Sequence, residues 1–427
     1  MNEMIRQFCD FLNTAHSPYH VAKNAADQLE AAGYVRLQEQ EAWELTPGGK
    51  YYVLRGDSTV IAFRLPQGTP TGFMMCASHV DHPTFQVKDD LTLKGTYTRL
   101  SVEKYGGMII SSWLDRPLSL AGRVLVQSEA GLQTKLIDVD RDLLLIPNVA
   151  IHMDRDVNDR KSWNPAVDTL PLVGGPDAAE KLEALLEQEA GGKILGHDLL
   201  LYLRQKACVW GVNEEYISSA ALDDLGCAWS GLQGFLKATP SRAIPVLCLF
   251  DNEEIGSASF QGAGGTLLRD VLKRICFRMN LSWDRMYAQS FMISADNGHA
   301  IHPNHPEYAD GPNAPKINEG IVLKFHSNRK YTSDGLSSAI FRQVCQNAGV
   351  PVQNYYNRAD MAGGSTLGNV SQTHVTVPSV DIGLPQLAMH SCYETAGVKD
   401  IAYLVQALTA YYASALEVHE DGTYTLN

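Results

Sequence analysis

The sequence predicts an α/β protein: a mixed sheet with helices on both faces, interrupted by an inserted β-rich unit. Three observations carry that expectation. Apolar runs of strand length alternate with helical segments toward both ends of the chain. After about residue 86 the texture changes to short strands with little helix, and near residue 214 it reverts. The partition is therefore a discontinuous unit, 1–86 and 214–427, around an insertion, 87–213. A chain of 427 residues suits about two or three domains of ordinary size.

Along the chain, residues 3–14 are helical in period through Ile5, Phe8 and Leu12. A second helix has Ser17 as cap, Pro18 at its first position and Gly33 as terminator. "YYVLRGDSTVIAFRL" reads as two strands around a Gly-Asp turn, and "TGFMMCASHV" as a buried strand. The insertion offers "TLKGTYTRL", "AGRVLVQS" and "TKLIDVDRDLLLI" as strands, with one helix, "DAAEKLEALLEQE", in its middle. "YISSAALDDLGCAWSGLQGFLKA" reads as a loop and then a helix. Strand and helix then alternate through "IPVLCLF", "GGTLLRDVLKRICF", "SFMISAD", "SSAIFRQVCQNAG", "TVPSVDIGL" and "KDIAYLVQALTAYYASAL".

Composition narrows the function. A formal net charge of -13 argues against a nucleic-acid surface and leaves carboxylates for cations. The eight cysteines form no C-x-x-C pair and read as buried free thiols of a cytoplasmic protein. The N-terminus lacks the pattern of a secretory signal, and no apolar run approaches the ~18 residues of a membrane span.

In open α/β sheets, ligands bind beyond the carboxyl ends of the strands. Five apolar segments deliver His, Asp or Glu there or close by. "SHVDHP" gives His79 and Asp81, "ALDDLG" gives Asp223 and Asp224, and "DNEEIGS" gives Glu253 and Glu254. "SADNGHAIH" gives Asp296, and "LAMHS" gives His390. Singly, each has a bland reading: a satisfied histidine, a helix cap, a solvated acidic pair. Together, this mix of nitrogen and oxygen donors suits zinc or a similar divalent ion. Two ions about 3.5–4 Å apart neutralise such a crowd of carboxylates. One glutamate of the pair is then a ligand, and its neighbour lies beside the reacting water. His79 and Asp81, two apart on an extended chain, face the same way, so Asp81 is expected to hold the second imidazole nitrogen of His79.

These motifs, in this order, resemble the aspartyl aminopeptidase family, which includes the yeast vacuolar aminopeptidase. "SSWLDRPLSLAGRV", "IPNVAIHMDR", "KFHSNRKYTSDG" and "GGSTLG" extend the resemblance over nearly the whole chain. It implies a zinc-exopeptidase catalytic domain with an inserted β-rich dimerisation domain, and dimers assembled into a tetrahedral dodecamer. It implies two Zn2+ per subunit, with Mn2+ or Co2+ as alternatives at one position. His79 and Asp296 would hold one ion, Glu254 and His390 the other, and Asp223 would bridge them. Glu253 would be the general base, and Asp81 would orient His79. His152 would enter the neighbouring subunit's site, and Lys324 would line a pocket for acidic N-terminal residues. His299 and His302 match family histidines near the site, with local hydrogen bonding as their expected role.

Two departures stand out. "HVDHP" replaces the more usual "HTDSP", adding His82, which reads as a non-ligand. "MHSCYE" replaces "MHSIRE", removing an arginine and leaving specificity less fixed than reaction type. The readings that compete are a two-zinc aminopeptidase with neutral or leucyl preference, an N-acyl amino acid deacylase, and a non-enzymatic assembly protein. The expected partners are peptide substrates and further copies of the chain, not nucleic acid or membrane.

Overall fold

The structure is a computed structural model that describes residues 2–364 and 366–427. A nine-stranded mixed sheet forms its centre. In spatial order its strands are Val35–Leu37, Lys50–Arg55, Thr59–Arg64, Ile244–Phe250, Phe73–His79, Phe291–Ala295, Ser379–Gly383, Ile321–Phe325 and Val352–Tyr356. The four from Ile244–Phe250 to Ser379–Gly383 are mutually parallel, so their carboxyl ends share one edge.

Side chains alternate between the two faces, as the two-residue period requires. Met74 and Cys76 pack with helices Glu3–Leu12, Pro18–Ala31, Leu222–Lys237, Gly335–Ala348 and Val398–Tyr412. Phe73, Met75 and Ala77 pack with helices Leu267–Arg278, Trp283–Ala288 and Leu367–Ser371. Both faces are covered, which explains why the central strands read as continuous apolar runs rather than alternating ones.

A second sheet has six strands, all drawn from residues 84–203, and helix Ala178–Ala190 packs on it through Leu182 and Leu186. A small five-stranded sheet joins Cys208–Trp210, Tyr216–Ser219, Glu394–Gly397, Pro385–Leu387 and Gly298–His299.

Local signals hold where chemistry fixes them. The Ser17 side chain caps Pro18–Ala31, and Gly33 follows it at φ 82°. Asp334 and Ser337 form a reciprocal capping box on Gly335–Ala348. Three expectations change. "TLKGTYTRL" is the end of strand Thr84–Leu93, a turn, and the start of strand Thr98–Tyr105. "TKLIDVDRDLLLI" stays in a strand only to Asp138. Tyr216–Ser219, expected as loop, is a strand pairing antiparallel with Glu394–Gly397. It pairs with nearby Cys208–Trp210 on its other side, and the strand that ties this hairpin into a sheet lies far along the chain. All eight cysteines are free, as expected, but Cys208 is exposed rather than buried. Among the described residues no helix is long and apolar enough to cross a membrane.

Candidate active site

His79 is the last residue of its strand and is fully buried. Its Nδ1 lies 3.0 Å from the carbonyl oxygen of Asp81. A carbonyl only accepts, so Nδ1 carries a proton, and in the neutral ring Nε2 presents a lone pair. That Nε2 faces Asp223 Oδ1 at 3.8 Å. His390 repeats the arrangement: Nδ1 lies 2.6 Å from the carbonyl of Gly107, and Nε2 faces Glu254 Oε1 at 3.3 Å and Asp223 Oδ2 at 3.5 Å. The expected grip of the Asp81 carboxylate on His79 is a main-chain grip instead, with Oδ1 standing off at 3.5 Å. The carboxylate of Asp81 is occupied elsewhere. It accepts the backbone N–H of Glu253 at 3.0 Å, that of Glu254 at 3.1 Å and the Tyr105 hydroxyl at 2.7 Å.

The glutamate pair turns as its shared use demands. Asn252 is left-handed at φ 64°, Glu253–Ile255 is one short 3-10 turn, and Gly256 follows at φ 97°. Asp223 and Asp224 do not cap their helix, although Asp-Asp before a helix commonly does. Their connecting peptide is cis. Asp223 spans the two imidazoles, and Asp224 accepts the backbone N–H of His79 at 3.3 Å. Asp296 pairs with Lys324, whose Nζ donates to Asp296 Oδ1 at 3.0 Å and to the carbonyl of Asn297 at 3.1 Å. Lys324 is 2% exposed, so its charge is buried against that of Asp296.

His79, Asp223, Glu253, Glu254, Asp296, Lys324 and His390 line one cavity of about 510 Å³. His299 and Tyr331 also line it. His302 and His305 stand in an adjoining cavity with their rings 5.4 Å apart, and His302 Nδ1 accepts the backbone N–H of Asn304. His82 is buried, does not line the cavity, and its Nδ1 has no hydrogen-bond partner among the described residues. His152 is exposed in the loop 147–162 and does not line this cavity. Tyr393, standing where arginine is usual, donates to the carbonyl of Lys206 at 3.0 Å and lies outside the cavity lining.

The cluster carries more negative charge than its own cations offset. Burial pushes the Glu253 carboxyl up to about 8; His79 opposes this, and Asp296, Glu254 and Asp81 add to it. Burial likewise holds Asp224 well above the carboxylate range, with Asp296 and Asp223 adding to it against His79. Burial opposes charge on His390, yet the adjacent Asp223 and Glu254 carboxylates lift it to about 11. Buried carboxylates in such numbers require positive charge.

The donor set fits a divalent metal. One ligand atom from each of His79, Asp223 and Glu254 lies within 4.8 Å of the others. Two ligands tetrahedrally placed on zinc at about 2.1 Å stand about 3.4 Å apart. The His390–Glu254, His390–Asp223 and His79–Asp223 separations of 3.3, 3.5 and 3.8 Å have that size. Among the described residues, Asp223 Oδ1 and Glu254 Oε1 are buried without a hydrogen-bond donor, as oxygens placed for a cation are.

Residues 11–412 match the family described as Aminopeptidase I zinc metalloprotease (M18). The chain belongs to the M18 family.

Relatives agree in sequence and in shape. A probable M18 family aminopeptidase 2 of Clostridium acetobutylicum is 43% identical over 426 residues, covering 96% of this chain and 98% of its own. Its namesake from Pseudomonas aeruginosa is 38% identical over 425 residues, covering 97% and 99%. A chain of the Ape4 and Nbr1 complex superposes with a TM-score of 0.92 at 34% identity, covering 95% of this chain and 85% of its own. Yeast aminopeptidase 1 superposes with a TM-score of 0.85 at 25% identity, covering 96% of each chain. As an M18 enzyme the chain is a metallo-aminopeptidase, acting on peptides at their N-terminus.

Two residues that hydrogen-bond to the site of this M18 chain escape its sequence. Glu394 is buried and accepts the backbone N–H of Asp223 at 2.9 Å and of His390 at 2.7 Å. Its one signal is its place four residues after His390. Tyr105 meets Asp81 from another sheet, and nothing local marks it.

Proposed function

We propose that the chain is a two-zinc aminopeptidase that prefers acidic N-terminal residues, with Glu253 as general base. The observation that supports this best is the position of Asp223, whose two oxygens face His79 on one side and His390 on the other. His79 and Asp296 would hold one ion, Glu254 and His390 the second, with Asp223 shared. Divalent ions bound there would polarise the first peptide carbonyl and make water a stronger acid near neutral pH.

The chain's own groups do the rest. Glu253 takes a proton from water as the water oxygen bonds to the carbonyl carbon. It returns that proton to the amide nitrogen as the C–N bond breaks. The buried carboxylates attract the substrate's free α-ammonium, which confines cleavage to the N-terminus. Lys324 has three N–H donors and, among the described residues, spends two, on Asp296 and Asn297. The third would serve the side-chain carboxylate of an N-terminal Asp or Glu.

His152 would complete the site of a neighbouring subunit. Its loop carries Val149, Ile151 and Met153 at 50%, 46% and 83% exposure, apolar surface suited to burial by another copy. One similar structure, with a TM-score of 0.84 at 25% identity, is an mApe1 dodecamer. Residues 87–213 would form the oligomerisation domain, and the eight free cysteines fit a reducing cytoplasm.

Release of anilide from Asp-, Glu- and Leu-anilides, with and without chelator, tests the function. The expected result is chelator-sensitive release that favours Asp and Glu, shifting toward Leu in Lys324→Leu. Hydrolysis of only N-acylated substrates would favour a deacylase, and an unchanged preference in Lys324→Leu would remove its role. For His152→Phe the expectation is an inactive pure assembly that regains activity when exchanged with subunits of Glu253→Gln. No recovery after verified exchange would place His152 outside the reaction.

A further inference from the structure

We propose that Tyr105, reaching in from the six-stranded sheet, is a positioning residue for peptide hydrolysis. It holds Asp81 in the orientation that fixes the Glu253–Glu254 turn. The inference rests on the reading of Glu253 and Glu254 given above.

Tyr105 ends strand Thr98–Tyr105. Its hydroxyl donates to Asp81 Oδ2 at 2.7 Å and accepts from Asn252 Nδ2 at 2.9 Å. Asp81 in turn accepts the two backbone N–H groups of the glutamate pair, one on each oxygen. Asn252 Oδ1 accepts from the Ser259 hydroxyl at 2.7 Å, and Ser259 Oγ accepts the backbone N–H of Gly262 at 2.9 Å. The hydrogen bonds therefore run from the far side of the glycine-rich loop, through Asn252 and Tyr105, to Asp81 and back to the glutamates. Tyr105 is the one member of this circuit that belongs to the six-stranded sheet.

The next residues reinforce the grip. Gly106 is left-handed at φ 75°, and a Cβ there would stand 3.2 Å from the Glu254 Cβ. The Gly107 carbonyl accepts from His390 Nδ1, and the backbone N–H of Ile109 donates to the His390 carbonyl at 2.9 Å. One short segment of the second sheet thus touches the base-bearing turn, the ligand Glu254 and the ligand His390. The phenol oxygen is the element that a single substitution removes cleanly. Without it, Asn252 Nδ2 loses its acceptor and Asp81 Oδ2 keeps one donor of two, in a place water enters poorly.

The test is steady-state kinetics of Tyr105→Phe in the intact, zinc-loaded assembly, with an N-terminal anilide as substrate. The expected result is a kcat lowered about 10- to 100-fold and a KM changed less than about 2-fold, at unchanged metal content. Asn252→Ala should show a smaller loss of the same form, and it carries the test if Tyr105→Phe does not assemble. Wild-type kcat in the assembled variants overturns the inference. So does a deficit that disappears once rates are normalised to zinc-loaded protein, because that is the mark of a merely structural role. Glu253→Gln run in parallel separates the two readings. If it stays active, the assignment of the base fails; if it is inactive while Tyr105→Phe matches wild type, this inference alone fails.

Discussion

Glu253→Gln is expected to retain its metal and lose turnover, by about 10²- to 10⁴-fold in kcat. Glutamine has nearly the same shape as glutamate but takes no proton at neutral pH. The backbone of the turn is held by Asp81 through main-chain N–H groups, which the substitution leaves untouched. It is Glu254, not Glu253, that offers a ligand atom within 4.8 Å of those of His79 and Asp223. Glu253 instead lines the cavity beside them. Elemental analysis and kcat measured on one preparation check both halves. Near-normal turnover excludes Glu253 as the base, and loss of metal makes it a ligand.

The opposite signature is expected of Asp223→Asn: metal is lost first and activity follows. Asp223 is the residue whose two oxygens face both imidazoles. The amide supplies one oxygen, no charge and an N–H₂ group where a lone pair is needed. Zinc held by four ligands is bound by about 10–16 kcal/mol in structural sites. Loss of one ligand then costs roughly 3 kcal/mol, about a 10²-fold weaker grip, and in the proposed site both ions would share it. Competition with a chromogenic chelator measures the change, and wild-type zinc retention contradicts it.

Legibility in the sequence follows chain distance. His79, Glu253, Glu254 and Asp296 stand at or just past buried apolar strands. The rule that ligands gather at strand carboxyl ends finds them directly. Asp223 is harder, because Asp-Asp at a helix start has a commoner use as a cap, and only its contact with His79 separates the two. His390 lies beyond an extra small strand, Pro385–Leu387, so its return to the site depends on a sheet that the sequence does not announce. That sheet includes Tyr216–Ser219, read locally as loop. Tyr105 and Glu394 act through hydrogen bonds to segments 24 and 171 residues away. Each belongs to a strand outside the central sheet, and residue type alone gives either no distinguishing mark. The Asp81 carboxylate shows the same limit. Its spacing from His79 is right for an imidazole partner, but the tertiary fold supplies it with three better donors.

The pairing of two divalent ions around Asp223 is the claim on which the chemistry depends. The direct measurement is the zinc-to-subunit ratio of the purified wild-type enzyme, dialysed against zinc-buffered solution and read by elemental analysis beside His79→Ala and His390→Ala. Two zinc ions per subunit are expected in the wild type, with one lost in each variant. A saturated wild-type ratio of one, or two ions retained in both variants, contradicts the claim.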